Sequence, residues 1–167
     1  MERRPRRQNS DSPSNREFDQ KVVEVTRVTR VVAGGKRMRF RALVVIGDHK
    51  GKVGMGLRKG MDVADSVNKA VAQAKKHMIT LPLSHDTIPH DVTVKYKSSR
   101  LVLKPARPGT GIVAGGAVRS VMDLAGVKNV MSKMLGSSNK VNNIKAVFEA
   151  FKQMKSRQQI SIMRKQS

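Results

Sequence analysis

Residues 38–78 read MRFRALVVIGDHKGKVGMGLRKGMDVADSVNKAVAQAKKHM, and the change of period inside this stretch decides the fold. Met38, Phe40, Ala42, Val44 and Ile46 fall on one face of an extended chain, while Arg37, Arg39 and Arg41 begin the other. Gly47 to Gly51 supplies a turn, and Val53, Met55 and Leu57 continue as a short third strand whose opposite side carries Lys52, Gly54, Gly56 and Arg58. The period then switches from two to 3.6. Val63, Val67, Ala70, Val71, Ala74 and Met78 make one apolar stripe, which predicts a helix from about Asp62 to Ile79. Asp62 can cap its start, and Lys75, Lys76 and His77 suit the negative end of its dipole. Upstream, Lys21 to Val32 is rich in valine, with an alternation that slips between Val25 and Val28, as at a bulge or strong twist. The run from Ala33 to Lys36 joins it to the Met38 strand as a hairpin turn, because glycine accepts positive φ at little cost. The expectation is a β-β-β-α unit with one sheet face covered by the helix.

Outward from this unit, Leu81 to Asp86 reads as a linker. A strand at Val92, Val94 and Tyr96 turns at Lys97 to Arg100 and returns through Leu101 to Leu103. After a glycine-rich loop come a helix from Ala117 to Ala125 ended by Gly126, a strand near Val127 to Leu135, and a last helix capped by Asn139. That order, β-β-α-β-α, makes a second α+β sandwich. The predicted organisation is therefore two small α+β domains, at 18–82 and 86–155. A disordered basic arm over 1–17 and a basic tail over 156–167 flank them.

Charge sets the class of partner. The chain has 167 residues, with 34 Lys and Arg against 12 Asp and Glu, for a formal net charge of +22. A compact body with that excess repels itself, so an outside polyanion is expected. The longest apolar stretch, Ala42 to Ile46, is only of strand length, and no run approaches the ~20 apolar residues of a membrane span. Residues 1–17 hold arginines but no apolar residue after Met1, which fits neither a secretory signal nor a presequence, and a cytoplasmic location is expected. Cysteine is absent, which excludes disulfides, thiolate catalysis and zinc fingers. The rings are only Phe18, Phe40, Tyr96, Phe148 and Phe151. Readers of single-stranded RNA stack bases on exposed rings, so folded RNA gripped through phosphate and shape is the better match.

Motifs for chemistry are weak. Gly109 to Ala114 matches the dinucleotide pattern G-x-G-x-x-A, but Pro105 and Pro108 disturb the strand exit, and no acid about 20 positions on holds a ribose. A phosphate-gripping or packing loop is the plainer reading. Gly51 and Gly56 have the outer spacing of a Walker motif, with Leu57 where Lys is required. His85, Asp86, His90 and Asp91 could ligate a metal, yet they lie in a linker with no further His nearby. No catalytic residue, cofactor or metal is therefore assigned. The cations, by contrast, collect where phosphate fits. Gly34, Gly35, Lys36 and Arg37 form a hairpin tip with bare backbone, and Lys50 and Lys52 flank a second turn. Arg58 and Lys59 precede a helix N-terminus, and Lys104 and Arg107 precede the 109–116 glycines.

The segment from Phe40 to Ala74 resembles a double-stranded-RNA-binding domain whose leading helix is replaced by the 21–32 strand. Together with "VTRVVAGGKRMRFRALVVIGD", "GKVGMG" and "PARPGTGIVAGGAVRSVMDLAGVKNVMSKMLGSSN", the chain from Phe18 to Lys155 resembles the small-ribosomal-subunit protein S-five family. The resemblance implies a non-enzymatic structural constituent that binds rRNA where head and body of the small subunit meet. It further implies contact with the S-four and S-eight proteins, a place along the messenger entry path, and an influence on decoding accuracy. Thr29 to Gly35, including Ala33, Gly34 and Gly35, corresponds to the loop beside the spectinomycin site. Ala33 stands where many relatives carry Lys, which leaves that phosphate contact and the ordinary drug response unassigned. Gly111 and Arg119 correspond to positions at the S-four boundary. Arg27 and Lys36 are carried over as candidates for the messenger entry surface, and Arg30 joins the RNA-binding set. The other classes in play are a free-standing double-stranded-RNA binder, a DNA-packaging protein and a dinucleotide-dependent enzyme.

Overall fold

The computed structural model describes residues 17–156. The expected basic arm and tail thus lie outside the described residues, apart from Glu17 and Ser156. Four strands form the first sheet: β1 (Asp19–Val32), β2 (Gly35–Gly47), β3 (Lys52–Gly60) and β4 (Met78–Thr80), in that order and antiparallel throughout. Helix α1 (Val63–Lys76) lies between β3 and β4. The second sheet has the order β5-β6-β8-β7, from β5 (Val92–Tyr96), β6 (Ser99–Pro105), β7 (Ile112–Val113) and β8 (Val130–Gly136), with β7 parallel to β8. Helices α2 (Gly116–Ala125) and α3 (Lys140–Gln153) complete an α+β fold.

In the second unit the expected glycine-rich loop contributes the short strand β7, so the order is β-β-β-α-β-α, and three expectations change in the first unit. The first helix stops at Lys76, and Met78 to Thr80 returns as β4 beside Lys52 to Gly54. Ile79 placed on Val53 gives the sheet edge backbone partners that one more helical turn would leave open. The irregularity in β1 falls between Val22 and Glu24, where Val23 turns toward the second core, and not at Val25 to Val28. The largest correction concerns the sheet faces. Ala42, Val44 and Ile46 pack with Ala70 and Ala74 of α1, while Leu43, Val45 and Val53 join the core of the second unit. Both faces of the sheet are covered at this end. A strand buried on both sides reads as a continuous apolar run, which is what Ala42 to Ile46 is.

Glycines permit the close approach on each face. A Cβ on Gly54 would come within 2.5 Å of the Ala74 carbonyl oxygen, and one on Gly56 within 1.9 Å of that of Ala70. Helix α1 therefore rests backbone to backbone on β3. On the opposite face a Cβ on Gly47 would lie 2.1 Å from the Leu124 oxygen. There the turn between β2 and β3 meets the carbonyl end of α2. His49 N–H donates to Leu124 O and Gly51 N–H to Ala125 O, both at 3.0 Å. These are carbonyls a helix cannot satisfy internally. The His49 ring adds Nδ1 to Asp123 O at 2.9 Å and Nε2 to Asp19 Oδ2 at 3.0 Å. Gly126 ends α2 with φ of 80°, as its sequence position predicts.

Gly56→Ala is expected to lower unfolding free energy by about 3 kcal/mol, because the added methyl meets backbone that cannot step aside. Urea denaturation monitored by circular dichroism measures it, and a loss within error of zero would show that α1 does not sit this close to β3.

Candidate nucleic-acid interface

Beyond Phe40 the β1–β2 hairpin has no third strand beside it, since β3 reaches only Gly60 opposite Phe40. What projects is a two-stranded ribbon turning at Ala33 and Gly34, with Val32 opposite Gly35. Its tip is exposed, and no atom stands near where a Cβ would sit on Gly34 or Gly35, so the backbone there is open to a ligand. One ribbon face brings Arg30 directly opposite Arg37 and Val28 opposite Arg39, and the next strand sets Lys59 opposite Arg41. Val28, Thr29, Arg30, Arg37, Arg39 and Lys59 line a concavity of about 290 Å³. Like charges directly across a strand pair are destabilising. Two such pairs share one face, and no ion pair among the described residues neutralises any of their cations. The arrangement is unfavourable for the protein alone and favourable once an anion lies in the concavity.

Arg27, Lys36 and Arg58 occupy the other face, on the side of α1. Arg58 borders a second concavity of about 360 Å³ with Lys59, Lys69, Gln73, Lys76 and His77. It opens along the free edge of β3, where the Leu57 N–H is taken by Gln73 Oε1 at 3.0 Å. Lys59 borders both concavities and joins them into one cationic belt. Lys69 carries no sequence-based assignment, and Lys76 only a place at the negative end of the helix dipole. Their spacing of seven on one helix face was the available signal. Arg39 and Arg41 were visible in the alternation without being assigned a role.

Other anticipated residues sit elsewhere. Lys50 and Lys52 are at the far end of the sheet, in the turn docked on α2, where their backbone N–H groups bond Asp48 Oδ1 at 2.8 and 2.9 Å. They do not join the ribbon cluster. The start of α1 is already occupied by carboxylates: Asp62 accepts from Val63 N–H at 2.7 Å, and Asp65 accepts from Met61 N–H. Lys69, bonded at 2.7 Å, holds the Asp65 carboxyl below its ordinary pKa, and the Met61 N–H adds to the effect. Arg58 and Lys59 therefore act without help from that helix end. In the second unit, Lys104 lies on the uncovered side of β6 and Arg107 in the loop that follows. The glycine loop is a packing loop: Asn129 Oδ1 accepts the N–H groups of both Gly109 and Gly111 at 3.1 Å. Those amides are spent on protein, which removes the phosphate cradle a dinucleotide would need. Among the described residues no cluster of three metal-ligating side chains occurs. His90 donates to Asp91 O and accepts from Lys155 N–H. No described helix is long and apolar enough to cross a membrane.

Fold and face together define a two-unit α+β protein with a cationic ribbon and belt at one end. The chain belongs to the ribosomal protein S5 family. Residues 18–82 match the family described as "Ribosomal protein S5, N-terminal domain", and residues 94–164 match "Ribosomal protein S5, C-terminal domain". It is 48% identical over 154 residues to "Small ribosomal subunit protein uS5" of Persephonella marina, covering 92% of this chain and 79% of that one. It is also 46% identical over 146 residues to the protein of the same name from Synechococcus elongatus, covering 87% and 81%.

The double variant Arg30→Gln, Arg37→Gln removes one like-charge pair and is expected to leave the free protein as stable or up to about 1 kcal/mol more stable at low salt. Thermal melts at low and high ionic strength measure it; a destabilised variant would show that the pair has a partner inside the protein.

Proposed function

We propose that the chain is a structural constituent of the small ribosomal subunit, without enzymatic activity, that works in cytoplasmic ribosomes by binding small-subunit rRNA through the ribbon and the belt around Lys59. The observation that carries this reading is a face of directly opposed cations with no counter-ion among the described residues, in a chain of the S5 family. Phosphates entering the belt displace condensed counterions, and the gain falls steeply with salt. The residues lining the two concavities include no Phe, Tyr or Trp and one ring, the exposed His77, so shape and phosphate spacing carry most of the recognition.

In the same reading the ribbon reaches into the junction of head and body. The open tip formed by Thr29, Ala33, Gly34 and Gly35 supports a place beside the spectinomycin-binding RNA. Arg27 and Lys36, exposed on the α1 side of the ribbon, support contact with messenger RNA at the entry path. Arg119 is exposed on α2, and Gly111 lies at the surface with φ of 73° and open space where a side chain would go. Both support a boundary with the S-four protein, with the S-eight protein as the other neighbour. An influence on decoding accuracy follows from holding these surfaces in fixed relation.

Two measurements test the proposal. Sedimentation of a lysate in moderate salt should place the chain in the small-subunit fraction, and recovery only from the soluble fraction would reject the reading. Arg39→Gln combined with Lys59→Gln should flatten the log–log salt dependence of rRNA-fragment binding by roughly 1.4–1.8, as for two lost phosphate contacts. Lys50→Gln with Lys52→Gln, outside the belt, should change it less; a reversed order would move the interface to the other end of the sheet.

A further inference from the structure

The sheet face that carries the opposed cations runs without a break into the core of the second unit. Along β2, Arg37, Arg39, Arg41, Leu43 and Val45 follow one another on that face at strand period. The pairing with β3 sets Lys59 opposite Arg41 and Leu57 opposite Leu43. Arg37 and Arg39 are exposed and Arg41 is half-buried, whereas Leu43 is 1% exposed and Val45 0%. Their cover comes from the second unit: α2 rests on β1, β2 and β3, and α3 reaches β4. Leu43, Val45 and Val53 belong to one continuous apolar cluster with Leu101, Val121 and Ile144. The segment between the units is part of that cluster through Leu81 and Ile88, and Leu81 N–H donates to Gly51 O at 2.8 Å.

What the first unit buries by itself is small. Its own cluster is Ala42, Val44, Ile46, Ala70 and Ala74, and three of these five are alanines with little area to remove from water. Domains of about 60 residues are marginal even with a complete core. Without the second unit, Leu43, Val45 and Val53 would face solvent, while the repulsion of Arg30 with Arg37 and of Arg41 with Lys59 would stay. The bonds from His49 and Gly51 to the end of α2 would also be lost. We infer that the first unit has no stable fold of its own, and that the two units open and close as one cooperative transition. The belt is then assembled only when the second unit is folded against the sheet. Helix α3 is the last described element of the chain and supplies part of the shared core, so affinity for polyanion is withheld until the chain through α3 has been made.

Amide hydrogen exchange on the full chain tests the coupling. Ile144→Ala truncates a fully buried side chain of α3. The slowest amides of α3 and those of Ala42–Ile46 in β2 should then exchange faster by one common factor, about 30-fold or more for such a truncation. If the alanine variant does not fold, Ile144→Val should give a smaller common rise of about two- to tenfold. Faster exchange in α3 with β2 unchanged would overturn the inference. An rRNA fragment held through the belt should slow both sets equally, because binding to the folded state alone suppresses every global opening together. Arg39→Gln with Lys59→Gln should weaken the two effects in step, and slowing confined to β2 would again count against the coupling. The inference rests on the proposed function only for the identity of the polyanion. A fragment that fails to bind the unaltered chain rejects that function, whereas the comparison made without RNA decides the coupling.

Discussion

The carbonyl end of α2 is the point on which the arrangement of the two units turns. A helix terminus inside a protein must find donors for oxygens it cannot bond itself. Here the turn between β2 and β3 provides them, through His49 and Gly51, with the His49 ring reaching Asp123 and Asp19 around the same corner. Hydrogen bonds fix direction more sharply than apolar contact does. The seam therefore sets the angle at which the first sheet meets the second unit, and Gly47 and Gly126 allow the approach. A ribbon mounted on one side of that seam and an open sheet on the other are held as one body.

That rigidity gives the surface charge its meaning. Cations on flexible segments would separate and lower their mutual repulsion. Strand pairing denies this to Arg30 with Arg37 and to Arg41 with Lys59. Hydrophobic burial on both sides of Ala42 to Ile46 offsets the cost. The core is thus what allows unfavourable charge to persist at the ribbon end of the sheet.

Much of this was legible in the sequence. The switch from period two to period 3.6 located β2, β3 and α1, and Asp62, Gly126 and Asn139 marked helix ends that the structure places as caps. Misreadings arose where a residue answers to something distant in the chain. Leu43 and Val45 looked like the solvent side of a strand because their partners lie in the second unit. The glycine loop at 109–116 stayed open between a phosphate-gripping and a packing reading because the acceptor that decides it, Asn129, is eighteen or more residues from Gly109 and Gly111. Lys69 had no assigned role and Lys76 only a place at the negative end of the helix dipole, until the open edge of β3 placed Arg58 and Lys59 beside them. Local periodicity carries the elements, and only the tertiary pairing says which cations share a hollow.

Among the described residues, the long outer strand β1 pairs with β2 on one side and with no strand on the other. A bare strand edge bearing Val22, Val25 and Val31 is a template for stacking with other chains. Lys21, Arg27 and Arg30, spaced along the same strand, blunt that hazard by electrostatic repulsion between approaching copies. The positive charge along this strand thus also guards the chain against aggregation with other copies.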